Sequence, residues 1–322
     1  MNNRLALGNH GFVNPGHIFN MRIFILLIIL CAKVLANRQY PPELPGTEVE
    51  TYKRASDVQL NVWIYYPDGH QPSDKKPAVV FFFGGGWKNG SPGQFHNQCR
   101  YLASRGVVAM TADYRVSSRH GTKAVSCVED GNSVVRWIRK NAGRLGIDPN
   151  RVAAGGGSAG GHVAAAIASI RKFEAKGEDK KISSIPNALL LFNPAVTLAD
   201  IEEQYTFPQD KAASMEDRAG VPPLQLSPYH HVKKNLPPTI IFHGTNDSAV
   251  DHKTVVLFEK EMRKKGNRCE LVSFKDKPHG FFNYGKFGNK PFRESMFATD
   301  KFLSSLDWIK GKPTIDQYLQ QP

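Results

Sequence analysis

Between Arg151 and Ile170 the chain reads RVAAGGGSAGGHVAAAIASI: an apolar strand, a serine flanked by glycines, and an apolar helix without a break. Few folds accommodate that order. A serine at so tight a strand-to-helix turn must take a strained backbone, and its neighbours must be small so that strand and helix can approach. Gly156-Gly157-Ser158-Ala159-Gly160 meets both demands and holds the hydroxyl at the edge of a sheet. The helix starting at Ala159 turns free N–H groups and a positive dipole end toward the same place. Ser158 is therefore the candidate nucleophile.

The flanking sequence supplies the sheet. Thr47–Arg54 and Val58–Tyr66 read as strands, the second with Val58, Leu60, Val62 and Ile64 in period-two alternation. Ala78–Phe83 is an unbroken apolar run, suited to a strand buried on both faces of a parallel sheet. Further strands are expected at Val107–Ala112, Arg151–Ala154, Ala188–Phe192, Thr239–His243 and Cys269–Phe274. Helical patterns fall between them, near 95–105, 123–145, 159–170, 252–265 and 294–309. Strands alternating with helices imply an α/β fold: a mostly parallel sheet, helices on both faces, right-handed crossovers. Residues 195–235, with several prolines and isolated aromatics, break the rhythm and are expected as an insertion near the C-terminal edge of the sheet. The expected organisation is an N-terminal segment 1–36, a linker 37–46, a catalytic domain 47–310 and a C-terminal tail 311–322.

Three loops complete the chemistry. Phe83-Gly84-Gly85-Gly86-Trp87 follows a buried strand. Acyl transfer builds negative charge on a carbonyl oxygen, and one well-placed N–H donor there is worth roughly 10²–10³ in rate. Gly85 and Gly86, with Ala159 N–H, are the candidate oxyanion donors, and Trp87 is a candidate substrate contact. His279 and Asp247 each sit in a loop after a late strand. The order Ser158, Asp247, His279 suits a hydroxyl deprotonated by an imidazole that a carboxylate orients. Asp251 is the rival acid. His162 lies one turn into a helix and is expected to bond locally, His243 to shape the site floor, and His230-His231 to lie at the surface. No cluster has metal-ligand spacing, the glycine loops lack the Lys-Ser/Thr of a phosphate loop, and no cofactor is implied.

In this order, FFFGGGWKNG, ADYRV, GIDPNRVAAGGGSAGGH, HGTND and PHGFF resemble the esterase/lipase branch of the α/β-hydrolase superfamily, including acetylxylan and feruloyl esterase-like enzymes and hormone-sensitive-lipase relatives. The resemblance covers about residues 47–309. It implies the α/β-hydrolase fold, Ser158, Asp247 and His279 as the triad, and the Gly84–Gly86 loop with Ala159 as the oxyanion hole. One departure stands out: the usual His of the HGGG loop is Phe83 here, so the loop must be braced differently, for which Trp87 packing is the expectation. The implied activity is a serine carboxylic ester hydrolase removing acetyl-type groups from a carbohydrate or small ester. The alternatives are a kynurenine formamidase-like amide hydrolase, which shares the GGSAGGH pattern, and a non-catalytic binding protein, which would usually have lost a triad residue.

Residues 21–36 (MRIFILLIILCAKVLA) have a positive start, an apolar run too short to span a bilayer and a small-residue end. A secretory signal cut after Ala36 is expected, with a secreted or periplasmic enzyme and no stable membrane insertion. Translation from Met21, an uncleaved anchor and a lipoprotein based on Cys31 are the other readings. The formal charge of +13 is spread along the chain without basic runs, which argues against nucleic acid and fits a solvated basic surface. Beyond residue 36, Cys99, Cys127 and Cys269 leave an odd number; buried free thiols are expected rather than a Cys99–Cys127 bridge.

Overall fold

The computed structural model describes residues 40–320, and residues from Leu44 onward form one compact unit. The segment read as a secretory signal, the cut expected after Ala36 and Cys31 lie outside the described residues.

Eight strands form one sheet: β1 (Glu48–Ala55), β2 (Val58–Tyr65), β3 (Lys76–Phe82), β4 (Val108–Ala112), β5 (Ile147–Gly157), β6 (Ala188–Phe192), β7 (Thr239–Gly244) and β8 (Cys269–Phe274). Their order is β1-β2-β4-β3-β5-β6-β7-β8. The β1–β2 and β2–β4 pairs are antiparallel; every other pair is parallel. Alternate residues of the central strands face opposite sides, as a pleated strand requires. Ala78, Val80 and Phe82 enter one apolar cluster; Val79 and Phe81 enter the other. Helices α2 (Ala124–Lys140), α3 (Ala159–Ser169) and α5 (His252–Lys264) cover the first face, and α1 (His96–Ser104) and α6 (Lys290–Ser304) the second. Sheet and helices form the mostly parallel α/β sandwich expected from the alternation of patterns.

The differences from the sequence reading have local causes. Helix α2 stops at Lys140, well before 145: Asn141, at φ −101° and ψ 7°, leaves the helical region, and its Nδ2 donates to Trp137 O at 2.8 Å. β5 begins at Ile147, ahead of the turn residues Asp148-Pro149-Asn150, with a register shift against β3. Helix α6 begins at Lys290 rather than 294, since Pro291 occupies its first turn, where its missing N–H costs nothing. Residues 311–320, read as a tail, are held on the domain. A short helix, Ile315–Tyr318, buries Ile315, sets Tyr318 against Tyr101 at 5.5 Å and pairs Asp316 with Arg293.

The insertion at 195–235 has structure of its own: an Ile201–Tyr205 bridge, helix α4 (Gln209–Ala219) ended by Gly220 in the left-handed region, and two short turns, Pro223–Leu226 and Pro228–His231. Cys99, Cys127 and Cys269 are buried free thiols, and burial pushes the pKa of Cys269 up to about 12.

Candidate active site

β5 ends at Gly157 and α3 begins at Ala159, so Ser158 alone makes the turn. Its backbone sits at φ 53°, ψ −117°, and a conformation of this kind costs an L residue about 1–3 kcal/mol. Its N–H donates to Phe192 O on β6 at 2.9 Å. Glycine is required around it by close approach: a Cβ on Gly156 would lie 2.5 Å from the Gly160 carbonyl carbon, and one on Gly160 would overlap Phe82 O.

The glycine loop after β3 lies against this serine. A Cβ on Gly84 would stand 3.3 Å from Ser158 Cβ. Gly85 and Gly86 have φ of 126° and 63°, where glycine is favoured. Gly84 N–H is taken by Gln94 Oε1 at 2.6 Å. The N–H groups of Gly85 and Gly86 have no acceptor among the described residues, and that of Ala159 is free as the first of a helix. Phe83, in the place of the usual His, stacks on Tyr114 at 4.1 Å, and Tyr114 Oη donates to Phe83 O at 2.6 Å.

Trp87 takes part in the bracing as expected. It is buried, and its indole N–H donates to His162 Nδ1 at 3.2 Å. The indole can only donate, so His162 is neutral and its Nε2–H donates to Leu226 O at 2.8 Å. Burial pushes the His162 imidazole down to about 4, only partly offset by that bond. Trp87 also lines the cavity over Ser158, where, with its N–H engaged, it offers an apolar wall rather than a polar contact.

The loops after β7 and β8 bring Asp247 and His279 together. His279 Nδ1 lies 2.7 Å from Asp247 Oδ2, while Asp247 Oδ1 accepts the N–H groups of Ala249 and Val250, each at 2.9 Å. His243 Nε2 stands 3.3 Å from the same Oδ2 and 2.9 Å from Val250 O. Burial alone would raise the Asp247 pKa. The bonds from His243, His279 and Val250 outweigh it and hold the carboxyl far below the ordinary carboxylate range. A carboxylate here can only accept, so the proton of neutral His279 is on Nδ1 and Nε2 is left as the basic atom. Asp251, the rival acid, instead caps α5 by accepting Lys253 N–H at 2.9 Å. His230 is bonded to Ser227 Oγ and Asp200 O within the insertion.

Ser158, Ala159, the Gly84–Gly86 loop and His279 line one cavity of about 520 Å³. The insertion roofs it with Leu198, Tyr205, Phe207 and Met215, and Lys211 and Arg218 add two cations. Among the described residues no group of three or more His, Cys, Asp and Glu could hold a metal, and no helix is long and apolar enough to cross a membrane.

Residues 62–262 match the model of the BD-FAE family, well over half of the chain. The chain belongs to the BD-FAE family. Residues 220–310 of this BD-FAE member also match the dienelactone hydrolase family. The solved structure of Thermogutta terrifontis esterase 2 phosphonylated by sarin is 47% identical, with a TM-score of 0.83, covering 85% of this chain and 100% of that one. The same esterase with butyrate bound superposes with a TM-score of 0.81 at 47% identity, covering 85% and 99%. Carboxylesterase NlhH of Mycobacterium tuberculosis is 25% identical over 268 residues, 76% of this chain and 79% of the relative. This BD-FAE member is thus an α/β-hydrolase of the esterase/lipase branch and a carboxylic ester hydrolase.

Sequence reasoning missed three residues of the site. Gln94, Asn193 and Asn283 also line the cavity, and side-chain hydrogen bonds connect them through the loops. The signal for the first was available: with Phe83 in place of a histidine, some other polar side chain had to hold the loop.

Proposed function

We propose that this esterase is a serine hydrolase that cleaves esters of short acyl groups through an acyl-enzyme. His279 Nε2 removes the Ser158 proton as the hydroxyl attacks the ester carbonyl. The N–H groups of Gly85, Gly86 and Ala159 receive the resulting oxyanion. His279 then protonates the departing alcohol, and a water molecule repeats the sequence on the acyl-enzyme. Asp247 keeps the imidazole in the tautomer that leaves Nε2 free. The observation that carries this reading is the 2.7 Å Asp247–His279 bond at the cavity wall that also holds the strained Ser158 and the unpaired glycine N–H groups.

The walls of Trp87, Phe207, Met215 and Phe282 suit an apolar acyl chain, and the cavity volume of about 520 Å³ suits a small one. Solved Thermogutta esterase structures with propionate and with butyrate bound support the same size. Lys211, Arg218 and Asp251 on the same cavity suit a polar alcohol portion, for which an acetylated sugar is our proposal. Export to a secreted or periplasmic location is proposed on the Met21–Ala36 pattern alone.

Paraoxon labelling tests the core of the reading. One diethylphosphoryl group per chain should appear on the peptide containing Ser158, and Ser158→Ala should abolish turnover of 4-nitrophenyl butyrate. A label on another residue, or parental turnover in the variant, refutes the assignment. Release of acetate from acetylated xylan at a rate comparable to 4-nitrophenyl acetate supports the sugar ester; turnover of the small ester alone removes it.

A further inference from the structure

The residue that replaces the missing histidine brace does more than hold one loop. Gln94 Oε1 accepts Gly84 N–H at 2.6 Å, and Gln94 Nε2 donates to Asn283 Oδ1 at 3.1 Å. Asn283 Nδ2 donates to Gly280 O at 2.8 Å, and Gly280 N–H donates to Asn193 Oδ1 at 2.9 Å. Asn193 is itself fixed by donating its backbone N–H to Phe242 O at 2.7 Å. A row of side-chain amides therefore runs from the glycine loop after β3 to the residue next to His279, and on to the loop after β6.

The direction of every link follows from its two ends. Gly84 N–H can only donate, so the Gln94 atom facing it must be oxygen and its NH₂ must face Asn283. Gly280 O can only accept, so Asn283 must present NH₂ to Gly280 and oxygen to Gln94. Neither amide can flip without setting oxygen against oxygen or N–H against N–H. A Glu or Asp at either position would lack the donor that the next link needs. The row contains no titratable group, so its geometry does not change with pH.

We infer that Gln94 and Asn283 are positioning residues that set the Gly85 and Gly86 N–H groups at a fixed place relative to His279. This rests on the serine-hydrolase reading above. The carbonyl oxygen must meet those N–H groups while the serine and the leaving oxygen meet the imidazole, so the two loops have to keep one mutual distance. A misplacement of about 1 Å costs about 10²-fold in rate. Binding of the acyl chain to the apolar walls does not involve the row, so kcat should change and KM should not.

The test is a double-mutant cycle on 4-nitrophenyl butyrate. Gln94→Leu and Asn283→Ala should each lower kcat about 10–100-fold, with KM within twofold of the parent, and the pair should lose little more than the worse single variant. The exchanged pair Gln94→Asn with Asn283→Gln, which keeps the amide row while moving one methylene, should recover activity above either of its single changes. Losses that multiply in the double variant, a KM effect in place of a kcat effect, or a kcat within twofold of the parent in the folded single variants overturn the inference. If Gln94→Leu does not fold, Asn283→Ala and the exchanged pair decide by the same criteria. Failure here is separable from failure of the functional reading: Ser158→Ala inactive with Gln94→Leu fully active sinks the amide row alone, while an active Ser158→Ala sinks the mechanism beneath it.

Discussion

Acidification should unseat the contact between the glycine loop and the 195–235 insertion through one residue, His162. The imidazole is fully buried, takes the Trp87 indole proton on Nδ1 and donates from Nε2 to Leu226 O, so protonation would set N–H against N–H inside the core. Its pKa falls from 6.5 in the unfolded chain to about 4 in the folded one. Above pH 6.5 both states are neutral and the full stability is present. Between 6.5 and 4 the unfolded chain binds the proton and the folded one does not, so stability declines as pH falls. At about 1.4 kcal/mol per pH unit the loss reaches about 2.5 kcal/mol by pH 4.5 and tends to about 3 kcal/mol below pH 4. Urea unfolding at pH 7.5 and pH 4.5 measures it, with His162→Gln as the reference, because glutamine can accept and donate without titrating. Every other titratable group is common to the two proteins and cancels in the difference. The parent should lose about 2.5 kcal/mol more than the variant. Equal losses in the two proteins would refute the reasoning.

Asp247→Asn should leave the fold intact and lower kcat by about 10³–10⁴, because an amide can offer its NH₂ to Nδ1 and so favour the wrong tautomer; steady-state hydrolysis of 4-nitrophenyl butyrate reads it. The depressed Asp247 carboxyl keeps its stabilising bonds above its ordinary pKa of 3.8 and loses them only as pH falls through its far lower folded value, so acid loss of activity above pH 5 should not originate there. Gly160→Ala should cost about 3 kcal/mol and lower Tm by at least about 5 °C, because the added methyl meets Phe82 O and Phe83 O, backbone atoms that cannot rotate away; an unchanged Tm would show that β3 and α3 can separate.

What the sequence displayed was whatever depends on neighbours in the chain. The serine turn was legible because the strand, Ser158 and helix are contiguous, and their small residues are needed at fixed offsets. Asp247 and His279 were legible because each follows an apolar strand, and the parallel order places all such loops at one rim. The amide row was not legible: Gln94 and Asn283 are 189 residues apart and lie in loops, where polar residues have no period. Helix α4 was hidden by its setting, with Pro208 before it, Pro222 and Pro223 after it, and a largely exposed surface that buries only Met215 and Ala219. The start of α6 was missed because Lys290-Pro291 reads as a loop until Pro291 is allowed in the first turn.

The connection from β6 to β7 has one topological duty, which is to return the chain to the opposite rim of the sheet. It meets that duty with its last residues and uses the rest, including α4, to roof the cavity. None of those roofing residues pairs with a strand of the sheet, and neither Asp247 nor His279 belongs to the segment. Apart from Asn193 and Leu226, whose oxygens hold Gly280 and His162, its length and side chains can therefore drift, or be grafted from another source, while Ser158, Asp247 and His279 keep their coordinates, and a new preference in esters can arise without redesigning the scaffold beneath.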